Sequence, residues 1–217
     1  MKARLLPLAT IALVMACSDN RSTSGPTAPD GSSKMISDGA HGGNPDFFFL
    51  PPMVADPSKD PNYEAGQFNS TIGPSLSVEI CQLSTSPVDA AGQPVVTDCA
   101  VGVPLVKKFP AGTVSLQNPP DGFYQVVWNA GASNLDVTMF YRIKVLAEGS
   151  STPFGVADID AVSNMKELRN ARTGETIPLN ENSSLPIKFR IEHAGGRALC
   201  GSIALCTSTV VTNNNAS

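Results

Sequence analysis

The 217-residue chain has no apolar run of about 18 residues or more, which excludes an ordinary membrane-spanning helix. It has one tryptophan and only two histidines, His41 and His193, so a histidine-based hydrolase has little to build on. No G-x-S-x-G occurs, and there is neither a phosphate-binding glycine loop nor a dinucleotide fingerprint. Without a Cys-x-x-Cys and with so few histidines, the spacing does not suit zinc. Charged residues make up 16% of the chain, its formal net charge is −4, and Lys107-Lys108 is the only adjacent basic pair. A nucleic-acid-binding surface is therefore not expected. Against these absences stand 41% apolar residues and 18 each of proline and glycine. That mixture suits short strands joined by many turns and argues against long helices.

The N-terminus has a short positive region, Lys2 and Arg4, followed by a nearly wholly apolar stretch from Leu5 to Ala16. This layout predicts a secretory signal peptide over 1–16, too short to serve as a spanning anchor. Its end, Val14-Met15-Ala16-Cys17, resembles the lipobox of bacterial lipoproteins, although Val14 stands where a leucine is usual and Met15 where a small residue is usual. The resemblance implies that Cys17 becomes the diacylglyceryl-bearing N-terminus and that the lipid bilayer is a partner through it. Ser18, rather than an aspartate, then implies the outer membrane where one exists. The simpler reading of the same residues is an ordinary signal-peptidase site that leaves Cys17 a free thiol. Ser, Gly, Pro, Asp and Asn dominate the segment that follows, so 17–43 is expected to be the lipidated cysteine and a flexible linker.

Five cysteines, Cys17, Cys81, Cys99, Cys200 and Cys206, leave one over in an exported protein. If Cys17 is acylated, four remain, and three pairings are possible. Proximity in sequence favours Cys81–Cys99 and Cys200–Cys206.

From Asn44 onward the pattern changes. Phe47-Phe48-Phe49-Leu50, closed by Pro51-Pro52, reads as a first strand buried on both faces. "PSLSVEICQ" alternates with period two, "GQPVVTDCAVGVPLV" suggests one or two short strands, and "GTVSLQ" and "GFYQVVWNA" follow. "NLDVTMFYRIKVLAEG" puts Leu135, Val137, Met139, Tyr141, Ile143 and Val145 on one face, with Asp136, Thr138, Phe140, Arg142 and Lys144 on the other. "TPFGVADIDAV", "ARTGETIPL" and "LPIKFRIEH" add further strands, and "SNMKELRNA" allows one helical turn. Eight or nine short strands predict an all-β fold, an antiparallel immunoglobulin-like β-sandwich over 44–195, with a C-terminal tail and small cysteine loop over 196–217. The likeness is to the immunoglobulin-like modules of bacterial surface proteins. It rests on strand pattern, since Trp128 does not lie between Cys81 and Cys99.

No residue set selects a catalytic mechanism, so a non-enzymatic protein without a cofactor is expected. "HGGN" at His41 lies in the expected linker, and His193 just follows the last strand. Asp158 and Asp160 share one side of a strand and are weak calcium candidates, because calcium wants six to eight oxygens. Asp56, Asp60 and Glu64 form an acidic loop most simply read as solvated. A glycan-binding or adhesion face would draw on Trp128, Tyr63, Tyr124 and Tyr141, most of which a sandwich core would claim. Phe140, on the polar face of its strand, is the residue that would mark a contact surface for a protein or glycan partner.

Overall fold

The computed structural model describes residues 35–59, 63, 66–91, 93–119, 122–164 and 176–193. Within these the chain is all-β, with ten strands and only short 3₁₀ turns. They are β1 (Ile36–Ser37), β2 (Phe47–Phe49), β3 (Leu76–Gln82), β4 (Lys107–Phe109), β5 (Ser115–Gln117), β6 (Phe123–Asn129), β7 (Phe140–Ala147), β8 (Pro153–Val162), β9 (Ile177–Asn180) and β10 (Ser184–Ile191). One sheet has the order β1-β8-β7-β3-β4, with β9 also on β8; the other has the order β2-β10-β6-β5. Every pairing is antiparallel except β8 with β9, which is parallel and departs from the all-antiparallel expectation.

The period-two pattern explains the core. Val78 and Ile80 of β3, Ile143 and Val145 of β7, Tyr124 and Trp128 of β6, and Ile187 and Phe189 of β10 meet in one hydrophobic cluster. Each large side chain so buried contributes roughly 1.5–3 kcal/mol of transfer free energy. The three phenylalanines of β2 are all buried, and Phe47 packs edge-on to Phe49 at 4.8 Å and stacks on Phe189 at 5.7 Å. A register shift between Val145 and Leu146 sets Phe154 into the core beside Phe47. Position 155 has to be glycine, since a Cβ there would run into the Phe47 ring.

Several boundaries differ from the sequence reading. Residues 35–43 belong to the folded unit, not to a linker, because Ile36–Ser37 pairs with β8 and Met35 is buried. The phenylalanine run is consequently the second strand. β7 starts at Phe140, five residues later than Leu135, because Asp136 closes a turn by accepting the N–H and hydroxyl of Thr138. Val137 and Met139 are thereby left exposed. The stretch 93–106 contributes isolated bridges, Val88 with Pro94 and Leu83 with Cys99, instead of full strands. The helical turn expected in 163–171 falls almost wholly outside the described residues, as does the turn at Thr173-Gly174.

Candidate functional site

The outward face of the β1-β8-β7-β3-β4 sheet carries a buried polar cluster. Strand alternation puts Glu79 and Cys81 of β3, Arg142 and Lys144 of β7, and Asp158 of β8 on this face. Register then aligns Cys81 with Arg142 and Arg142 with Asp158. Arg142 donates from Nε to Asp158 Oδ1 at 2.6 Å and from Nη2 to Oδ2 at 2.8 Å. Its Nη1 donates to the Thr97 carbonyl at 2.7 Å. Both side chains are buried, because the segment after β3 folds back over them. Burial pushes the Asp158 carboxyl above its ordinary value, and the Arg142 guanidinium pulls it back only in part.

Three further links hold that covering segment. Cys81 and Cys99 form a disulfide across a Cα–Cα distance of 5.6 Å. Asp98 pairs with Lys144 at 3.0 Å. Burial raises the Asp98 carboxyl, but the Cys99 backbone N–H and the Lys144 ammonium outweigh it and hold the group below its usual range. Ser84 and Thr85 meet Thr97 through their hydroxyls. Beside this cover lies a cleft of about 330 Å³ lined by Ser77, Glu79, Lys108, Lys144 and Glu148. Lys108 is neutralised by Glu79 at 2.8 Å, so the cleft is of mixed charge and presents no uniform field.

Asp158 therefore stands committed to Arg142 and is not an open calcium ligand. Asp160, two residues on, is half-buried, and Asp158 is neither the weak calcium candidate nor the solvated carboxylate of the sequence reading. Among the described residues no group of three or more His, Cys, Asp or Glu could hold a metal ion. Most of the aromatic candidates lie in the core, as a sandwich would have them. Trp128, Tyr124 and Tyr141 are buried, with their polar ends satisfied by Ser133, the Asn69 carbonyl and the Asp136 backbone. Tyr63 packs edge-on to Phe48 at 5.0 Å, and Phe140 is half-buried. These side chains offer no flat aromatic platform for a sugar.

His41 is not in a linker. Its Nδ1 lies 2.6 Å from Oδ1 of Asp38, whose buried carboxylate also accepts the backbone N–H groups of His41 and Phe49. Asp38 thus ties the turn after β1 to β2 and bridges the two sheets. His193 is exposed at the end of β10. Asp56 is held below its usual carboxylate range by hydrogen bonds from Ser58. Asp60, Glu64, Cys17, Cys200 and Cys206 lie outside the described residues.

Sequence reading missed Arg142, Asp38 and Glu192 as buried polar anchors. Glu192 accepts the Gly66 N–H at 2.8 Å and pairs with Arg190 at 3.1 Å. Only Asp38 had a local signal, an aspartate three residues before His41 in a glycine-rich turn. Comparison with protein-family models, with curated proteins and with solved structures returned no match.

Proposed function

We propose that the chain is an exported lipoprotein, held by acylated Cys17, whose immunoglobulin-like β-sandwich presents a non-catalytic binding or structural surface at the cell envelope, at the outer membrane where one exists. The observation that carries the reading is the Cys81–Cys99 disulfide, because such bonds persist in oxidising compartments outside the cytoplasm. It agrees with the apolar N-terminal stretch and with the lipobox-like Val14-Met15-Ala16-Cys17. The immunoglobulin-like relation is supported by two sheets packed around one core and by an N-terminal chain that crosses from one sheet edge at β1 to the other at β2. The parallel β8–β9 pair is a local departure from that plan.

A glycan-binding reading loses its main support with Trp128, Tyr124 and Tyr141 in the core. The test is metabolic labelling with a radioactive fatty acid, comparing the native chain with Cys17→Ser. Label in the native chain and none in the variant is the expected result; label that persists in Cys17→Ser rules out this anchor.

A further inference from the structure

Eight large apolar side chains are exposed among the described residues, and six of them fall in two loops. Val96, Val101, Val103 and Leu105 lie in the segment around Cys99, and Val137 and Met139 in the turn that enters β7. Val101 is 100% exposed. The Ala100 N–H donates to the Gln82 carbonyl at 2.9 Å and the Val106 N–H to the Ile80 carbonyl at 2.8 Å. Residues 101–105 therefore form a short excursion from the β4 side of β3, just before β4 begins, turned at Gly102 with a φ of 79°. Its base is fixed by the Cys81–Cys99 disulfide and by the Thr97 carbonyl on Arg142. The N–H of Leu83 donates to the Phe140 carbonyl at 2.9 Å, which brings the Val137 and Met139 turn to the same end of the sheet.

Register shows where the N-terminal chain enters. Ser37 is level with Val156, Lys144 and Glu79, and Ile36 is level with Ala157, Ile143 and Ile80. The Met35 carbonyl accepts the N–H of Asp158, level with Arg142 and Cys81. From Ser37 back to Met35 the chain thus heads toward the end of the sheet where the apolar loops stand, and it reaches the level of Asp158, Arg142 and Cys81.

We infer that this end of the sandwich is laid against the lipid bilayer, with Val101, Val103 and Leu105 entering its interfacial region. The inference rests on the proposed acyl tether, whose two chains already suffice to anchor the protein, and adds a second contact that orients the sandwich on the surface. Exposed apolar patches of this kind mark interaction or membrane surfaces. Asp98 and Asp136 stand beside the loops and exposed Lys107 closely follows Leu105, so the nearby charge is of both signs and the contact inferred is the apolar one.

The test uses the full acylated chain on phosphatidylcholine vesicles containing brominated acyl chains, with Val101→Trp compared against Val127→Trp. Val127 is 53% exposed on the other sheet, and buried Trp128 gives both variants the same background. Vesicle-bound Val101→Trp is expected to shift its emission to the blue and to be quenched at least about twofold more than Val127→Trp. The difference should survive about 0.5 M salt, which screens charge contacts. Vesicle flotation with equal quenching of the two variants overturns this inference alone. Failure to float overturns the tether and this inference with it. A blue shift that grows with protein concentration without vesicles assigns the face to a second copy and also overturns it.

Discussion

Replacing Arg142 with methionine keeps the length of the side chain and deletes its charge. Asp158, with its side chain 0% exposed, would then lose donors at 2.6 and 2.8 Å, and the Thr97 carbonyl would lose one at 2.7 Å. Removing one partner of a buried ion pair costs about 3–5 kcal/mol, because the other charge is left buried without compensation. At about 2–4 °C per kcal/mol for a domain of this size, Arg142→Met should lower Tm by roughly 6–20 °C. Arg142→Lys should recover little, since an ammonium cannot make the two-pronged contact. The double variant Arg142→Met, Asp158→Leu should recover most of the loss, because an apolar pair of similar volume replaces a buried ion pair at little cost.

The pH dependence follows from sign. Burial already raises Asp158 in the folded protein, and loss of the guanidinium raises it further. A folded-state value above the unfolded one means stability is present below the unfolded value, near 4, and is lost as pH rises through the folded one. The deficit of Arg142→Met should thus be smallest near about pH 4 and grow toward neutrality. Urea titrations across that range measure it. A single-variant loss under about 1 kcal/mol, or a double variant no better than the single one, refutes the reasoning.

Three further predictions concern other anchors. Burial pushes the Tyr124 phenol up to about 12 from 10.0, so the stability it contributes is present below pH 10 and lost as pH rises through 12. The drop is at most about 3 kcal/mol, and Tyr124→Phe should flatten it in alkaline urea melts while costing about 1 kcal/mol at neutral pH for the lost bond to the Asn69 carbonyl. Asp38→Ala strands the Phe49 N–H and should cost about 3 kcal/mol by chemical denaturation; an unchanged midpoint would show that Asp38 does not join the sheets. Reducing Cys81–Cys99, or replacing both cysteines with serine, releases a loop closed over a sequence separation of 18 and should cost about 3 kcal/mol. Coincident melts with and without dithiothreitol would contradict that.

The alternation of small and large, polar and apolar residues made the all-β class and most of the strand positions legible from sequence. Side chains on one strand take opposite faces whatever the partner strand is, so Ile187, Phe189 and Ile191 were core residues before any sheet existed. The three phenylalanines of β2 were equally plain. The five cysteines already favoured the pairing of Cys81 with Cys99 on proximity alone. Tertiary structure decided what local pattern does not encode. Arg142 reads as a surface charge on a polar face, and it is buried only because a segment stapled through Cys99 comes back over it. Asp158 reads as a solvated carboxylate beside Asp160, and strand register is what sets it opposite Arg142. Met35 to Asp38 read as spacer by composition, yet Asp38 finds a donor on β2, the Phe49 N–H, eleven residues away. In each case the deciding partner is remote in sequence, and only pairing of the strands brings it within hydrogen-bond reach.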